Sequence, residues 1–98
     1  MNKLSLPGFQ RAIKAIHGAH SFFVRRVHVV EGFCTDPQWR GDVLVFDLLD
    51  HPCAGRCYVW ERDGEVTTIL HDRLIDSPEQ AVRLALAEAS PAGAALSY

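Results

Sequence analysis

The stretch that decides the fold is residues 56–71, which read RCYVWERDGEVTTILH. Two runs rich in β-branched and aromatic residues flank Asp63-Gly64, a dipeptide that suits the two positive-φ positions of a type I′ turn. A two-residue turn fixes the register of a hairpin. The predicted cross-strand pairs are Tyr58 with Ile69, Trp60 with Thr67, and Arg62 with Glu65. By the same register Arg56 falls opposite His71.

Helix signals stand on both sides of this hairpin. Ser5 is a predicted N-cap and Pro7 opens the helix, which is expected over about residues 7–17. Near the other end, Ser77 to Gln80 read SPEQ, the spacing of a capping box, followed by an apolar stripe at helical period. A second helix is therefore predicted over about residues 78–90, with a frayed tail after it.

The middle of the chain predicts two further strands. Residues 22–30 are mostly β-branched and aromatic, and residues 42–49 form an apolar run. Between them, Phe33 to Gly41 has turn chemistry and is predicted to be a loop that contains Trp39. We therefore expect one α+β domain over residues 1–98, in α-β-β-β-β-α order. The expected architecture is a two-layer sandwich, with a mostly antiparallel four-stranded sheet and both helices on one face.

One face of the hairpin is a candidate binding surface. Because strand side chains alternate between faces, Arg56, Tyr58, Trp60 and Arg62 share one side. The opposite side gathers a mainly apolar set, namely Cys57, Val59, Val66, Thr68 and Leu70. If both helices cover the apolar set, the aromatic and arginine set stays open for stacking on bases, peptides or another protein. The alternative is that Tyr58 and Trp60 are core aromatics beneath the helices, as large aromatics usually are.

Composition narrows the classes of function. The formal charge is −2, from ten Lys+Arg and twelve Asp+Glu, so nucleic-acid binding would have to be local. No apolar run is long enough to span a bilayer, and the N-terminus lacks the apolar stretch of a signal peptide. The expected location is cytoplasmic. No glycine-rich phosphate loop or dinucleotide fingerprint is present, so no cofactor is expected.

Catalytic and metal-binding alternatives depend on the cysteines. An odd number of cysteines, three, indicates reduced thiols rather than a disulfide framework. Four side chains are competent to bind zinc, namely His51, Cys53, Cys57 and His71, but three residues separate the two cysteines and no second compact ligand pair exists. A nucleophilic thiol would be Cys53 beside His51, or Cys34 near Asp36. The sequence shows only proximity for these pairs, and passive cysteines are the simpler interpretation.

Residues 51–60 read HPCAGRCYVW and carry a family resemblance. The segment resembles an uncharacterised family of small bacterial proteins with an HP-x-A-x-x-C-Y-x-W pattern, whose length and Asp76-Ser77-Pro78 helix start are also similar. The resemblance implies a shared domain along most of the chain. It implies no activity, substrate, cofactor or catalytic residue, and a lysine often stands where this chain has Cys53.

The leading functional hypothesis is a small non-enzymatic binding or interaction module that uses Arg56, Tyr58, Trp60 and Arg62. Its expected partner is a protein or peptide, with a homodimer as one form. The alternatives are a thiol-dependent enzyme using Cys53 and His51, and a weak binder of single-stranded nucleic acid.

Overall fold

The computed structural model describes residues 5–33, 36–62 and 64–89. In chain order the elements are α1 (Leu6–His17), β1 (Ser21–Phe33), β2 (Asp36–Leu48), β3 (Arg56–Arg62), β4 (Glu65–Leu70) and α2 (Pro78–Ala89). The strands form one antiparallel sheet in the order β1-β2-β3-β4. The predicted α+β class and the α-β-β-β-β-α order are therefore confirmed. No helix in the described ranges is long and apolar enough to cross a membrane.

Both ends of α1 are capped by local chemistry. The side chain of Ser5 accepts a hydrogen bond from the backbone N–H of Gly8 at 3.3 Å, which satisfies one of the free donors of the first turn. At the other end Gly18 has a φ of 74°, a left-handed conformation that favours glycine, and donates its N–H to Lys14 O. The helix predicted over about residues 7–17 therefore forms where the capping residues place it.

The start of α2 carries a reciprocal pair of side-chain bonds. Ser77 Oγ accepts from the backbone N–H of Gln80 at 3.3 Å, and Gln80 Oε1 accepts from the N–H of Asp76 at 2.8 Å. This is the capping-box arrangement displaced by one residue, because the glutamine reaches the residue before the cap. Further along the helix, Arg83 Nε donates to Glu31 Oε1 at 2.7 Å and joins α2 to β1.

The hairpin of β3 and β4 has the predicted register. The structure pairs Tyr58 with Ile69, Trp60 with Thr67, and Arg62 with Glu65. In the turn Gly64 has a φ of 84°, and Asp63 lies outside the described residues. Past the end of β4, His71 N donates to Arg56 O at 2.9 Å, which continues the pairing by one residue.

The predicted loop over residues 33–41 is wrong, because β2 begins at Asp36 and Trp39 lies inside it. Pro37 is tolerated in this strand because, among the described residues, β2 pairs with β3 only over residues 44–47, so Pro37 pairs with β1 alone. Gly41 makes room for the indole, since a Cβ at Gly41 would lie 3.0 Å from Trp39 Cη2. Cys34 lies outside the described residues.

The two helices cover opposite faces of the sheet, so the prediction that both cover one face is wrong. On the α1 face, Phe9 and Ile13 pack on Leu44, Phe46, Leu48, Cys57 and Val59. On the α2 face, Ala81 and Val82 pack on Val29, Trp39, Val43, Val45, Tyr58 and Trp60. The reason is visible in β2, whose residues 43–46 are all buried. An unbroken apolar run is typical of a strand with both faces covered, and three layers result.

The helices also lie toward different ends of the sheet. Helix α1 packs over the end of the sheet that carries Phe46, Leu48 and Cys57, whereas α2 packs over the end that carries Trp39, Val43 and Trp60. Each face therefore keeps one uncovered end. On the α1 face this end carries exposed side chains such as His28 and Val30, and on the α2 face it carries Phe22.

Candidate functional site

The four residues predicted as a binding surface do not form an open face. Tyr58 and Trp60 are 1% and 4% exposed, because α2 covers them with Ala81 and Val82. The prediction of an open aromatic face is therefore wrong. The alternative, in which both are core aromatics, is confirmed, although the helix that covers them is α2 alone.

Arg62 closes the outer end of this buried aromatic group. Its guanidinium carbon lies 5.3 Å from the ring centroid of Trp39, within the range of a cation–π interaction, and Nη1 donates to Arg40 O at 3.2 Å. The rings of Trp39 and Trp60 meet edge to face, with centroids 5.7 Å apart. These contacts give Arg62 a packing role in the described structure.

Arg56 lies at the opposite end of β3, where the α2 face is uncovered. Its Nε donates to Asp47 Oδ1 at 2.9 Å, and the two side chains are 34% and 33% exposed. Phe22 pairs with Asp47 across β1 and β2, Asp47 pairs with Arg56 across β2 and β3, and His71 follows β4 opposite Arg56. Phe22, Asp47, Arg56 and His71 thus form a cross-strand row, with one residue from each strand or its end.

The cross-strand row lines an open depression of about 470 Å³. Its remaining lining comes from Leu48, Leu49 and Gly55, and the hydrogen bond from Leu48 N to Gly55 O at 2.9 Å closes this loop. Phe22 and Leu49 are 46% and 63% exposed. The depression therefore joins exposed apolar side chains to an ion pair that solvent can reach.

A buried hydroxyl extends the polar part of this site. Tyr58 Oη lies 2.8 Å from Nδ1 of His71, so the tyrosine ring belongs to the core while its polar end faces the row. Burial raises the pKa of Tyr58, and the nearby charge of Arg56 opposes that shift. The hydroxyl therefore stays protonated near neutral pH and can exchange a hydrogen bond with the imidazole.

The ion pair keeps spare hydrogen-bonding capacity. A guanidinium has five N–H donors and a carboxylate has two acceptor oxygens. In the described part of the chain the pair uses only Arg56 Nε and Asp47 Oδ1. Asp47 Oδ2 and the two Nη groups of Arg56 are left for solvent or a ligand.

The structure does not assemble the predicted pair of Cys53 and His51. Nδ1 of His51 accepts the backbone N–H groups of Cys53 and Ala54, each at 3.0 Å, so this ring nitrogen organises the loop. The Cys53 thiol is exposed. Among the described residues no hydrogen bond joins it to a histidine. The thiol-dependent enzyme stays a prediction that no contact supports.

The four zinc-competent side chains are not brought together. Cys57 is fully buried on the α1 face, where burial, and secondarily the charge of Asp47, raise the pKa of its thiol to about 12. His71 lies at the other face, beside Tyr58. The described ranges contain no group of three or more His, Cys, Asp or Glu residues arranged to hold a metal ion.

A pair of histidines near α1 was not predicted. His17, at the end of α1, hydrogen-bonds through Nε2 to Thr68 Oγ1 of β4, and its ring meets that of His51 edge to face with centroids 6.4 Å apart. Burial, and then the neighbouring His51, lower the pKa of His17 below its ordinary value of 6.5. The pair therefore favours a neutral His17 in the folded protein.

Comparison with known proteins adds no family to this description. No protein-family model matches the chain, and no curated protein or solved structure is significantly similar to it. The resemblance carried by residues 51–60 stays a prediction.

Proposed function

We propose that this chain is a small non-enzymatic binding module whose ligand occupies the depression lined by the cross-strand row. The class of function is the one predicted from the sequence. The proposed site lies at the uncovered end of the α2 face instead of in the middle of the sheet. The observation that supports it best is the combination of the Asp47–Arg56 ion pair with exposed Phe22 and Leu49 around one depression.

A purely structural role explains these residues poorly. An ion pair that is about one-third exposed contributes little to stability, because water competes for both groups. Phe22 leaves 46% of its surface in solvent, so the packing of the sheet accounts for only about half of this aromatic side chain. Small-ligand sites characteristically combine apolar walls with a few polar groups in a volume of about 300 to 1,000 Å³. The depression has apolar and polar lining residues and a volume in that range, but it is open to solvent.

The nature of the partner is a separate question from the position of the site. A protein or peptide partner, a homodimer and a cytoplasmic location all stay predictions from the sequence. The site residues are now Phe22, Asp47, Arg56 and His71, so only Arg56 is retained from the four residues first predicted.

The site can be tested with defined probes of different chemistry. Full-length protein labelled with ¹⁵N would be titrated with benzoate, benzamide, indole and uridine, and backbone amide shifts would be mapped onto the chain. At least one probe should shift the backbone amide signals around Phe22, Asp47 and Arg56. Phe22→Ala should lower the affinity for that probe about tenfold, as expected for a lost aromatic contact.

A matched control is available on the same strand. Val30 has the same exposed fraction as Phe22, 46%, but lies at the uncovered end of the other face. Val30→Ala should leave every probe affinity unchanged. The proposal is wrong if all four probes fail to shift amides around the depression, or if Phe22→Ala and Val30→Ala behave alike.

A further inference from the structure

The ion pair of the cross-strand row presents an acceptor beside donors. Asp47 and Arg56 lie on neighbouring strands and are joined by a single hydrogen bond of 2.9 Å. Within the described residues, this leaves one carboxylate oxygen and two guanidinium nitrogens without a protein partner. A ligand that carries a donor next to an acceptor can bond to both groups without breaking the pair.

Phe22 supplies a flat apolar surface next to these polar groups. It is the direct cross-strand neighbour of Asp47, so both side chains project to the same side of the sheet. Its exposed ring can stack against a planar aromatic ligand, an interaction that does not require a particular ring substituent. Phe22 and Asp47 together therefore favour a planar ring with a polar edge.

We infer that the depression binds a planar lactam heterocycle of the nucleobase type, such as uracil or guanine. The ring N–H donates to Asp47, the adjacent ring carbonyl accepts from Arg56, and the ring stacks on Phe22. This inference rests on the proposed function and specifies its ligand.

Other ligand chemistries satisfy only part of the site. A carboxylate has no donor for Asp47 and meets it with a like charge, whereas an ammonium group has no acceptor for Arg56. A plain aromatic ring can stack, but it takes water from the ion pair and replaces none of its hydrogen bonds. The amino group of adenine is a less acidic donor than the ring N–H of a lactam, so it suits the carboxylate less well.

The sharpest test changes the ligand and leaves the protein unchanged. It replaces the hydrogen of the ring N–H with a methyl group, which removes the donor. Uridine and 3-methyluridine differ by a methyl group on the ring nitrogen that would donate to Asp47. Wild-type protein should bind uridine about tenfold more tightly or better, as expected for loss of a hydrogen bond to a charged group. Calorimetry or amide-shift titration of the full chain would measure both affinities, with guanosine and benzoate as further probes.

Protein variants test the same geometry from the other side. Phe22→Ala should weaken the binding of uridine about tenfold, while Val30→Ala should leave the affinity for uridine unchanged. Asp47→Asn should reduce the discrimination between uridine and 3-methyluridine, because a neutral amide replaces the charged acceptor. If Asp47→Asn does not fold, the ligand pair on wild-type protein still decides the question.

The source of the ring is distinguished by a second probe. A short oligouridylate would be compared with uridine at low and high salt. A salt-dependent gain for the oligonucleotide supports an unpaired base of a single strand as the ligand, and equal affinities per base support a free nucleoside. The lactam inference is wrong if uridine and 3-methyluridine bind equally, or if benzoate binds most tightly, although the proposed function survives both results. Failure of every probe at the depression overturns the proposed function as well.

Discussion

The two faces of the sheet differ in whether the helix or the sheet supplies the large side chains of the core. On the α1 face the helix contributes the large side chains Phe9 and Ile13, which pack on aliphatic residues, Phe46 and Cys57. On the α2 face the fully buried helix residues are the small Ala81 and Val82, with Leu86 partly buried beside them, and the sheet contributes two tryptophans and a tyrosine. A core at normal packing density needs a large residue opposite a small one, whichever element supplies it. The burial of strand aromatics thus depends on how small the covering helix residues are.

The largest expected effect is on the α2 face. Trp60→Ala should lower the free energy of unfolding by about 3 to 5 kcal/mol, because it leaves a cavity that Ala81 and Val82 are too small to fill. Arg62→Ala, at the exposed end of the same strand, should cost less than about 1 kcal/mol. Urea unfolding of both variants measures the contrast. A loss at Trp60 as small as that at Arg62 would mean that α2 does not cover this face.

The α1 face should show an intermediate effect at its buried thiol. Cys57→Ser should cost about 1 to 3 kcal/mol, because it places a hydroxyl where a small hydrophobe is fully buried. Cys53→Ser, at the exposed cysteine, should change stability by less than about 0.5 kcal/mol. Thiol labelling of the native protein should modify Cys53 and leave Cys57 protected. Rapid labelling of Cys57 would contradict its placement beneath α1.

The caps of the two helices allow a finer comparison. Ser77→Ala should cost about 1 kcal/mol, and Ser5→Ala should cost less because the N-terminal turn frays more easily. Both serines accept a cap bond of 3.3 Å, but only the α2 cap is reinforced by the bond from Asp76 N to Gln80 Oε1. Thermal or urea midpoints measure both losses. Equal losses would show that the reinforcing bond adds nothing.

The smallest expected effect is a pH dependence located at the end of α1. The pKa of His17 is lowered in the folded protein, so the unfolded state binds its proton first as the pH falls. The contribution of His17 to stability is therefore complete at high pH and declines as the pH falls through the ordinary range of histidine, near 6.5. His17→Gln should flatten the stability profile between about pH 8 and about pH 5. An unchanged profile would rule out this histidine as the source.

The sequence predicts well the features that depend on short-range chemistry. Asp63-Gly64 fixes the β3–β4 register, and the capping serines locate both helices. The opposition of Arg56 and His71, which forms half of the cross-strand row, also follows from the hairpin register. Each of these features is specified by residues that lie close together in the sequence.

The other half of the row could not be predicted by the same reasoning. A β-bulge between Phe23 and Arg25 shifts the register of β1 against β2, so the alternation of side chains does not reveal that Phe22 lies beside Asp47. The assignment of a loop to residues 33–41 also hid the length of β2. Asp47 therefore meets Arg56 of β3 on one side and Phe22 of β1 on the other, a combination that no single hairpin specifies.

The placement of the helices was missed for a different reason. Residues 43–46 of β2 form an unbroken apolar run, which indicates burial on both faces and is not what a two-layer sandwich requires. The fully buried positions of α2, Ala81 and Val82, are small, and helical periodicity alone does not show that they lie over two tryptophans. A pattern analysis that weighs helix residue size against strand residue size would have favoured the observed arrangement.

The cross-strand row also bears on how this scaffold could be redesigned. Because each strand or its end contributes one side chain, the four positions can be varied without altering the backbone hydrogen bonds that hold the sheet together. Asp47 and Arg56 contact each other directly and would have to be exchanged as a couple, and Phe22 and His71 are their cross-strand neighbours, so each would be varied against a fixed ion pair. A library built on this site therefore has one linked pair at its centre and one neighbouring position on either side of it.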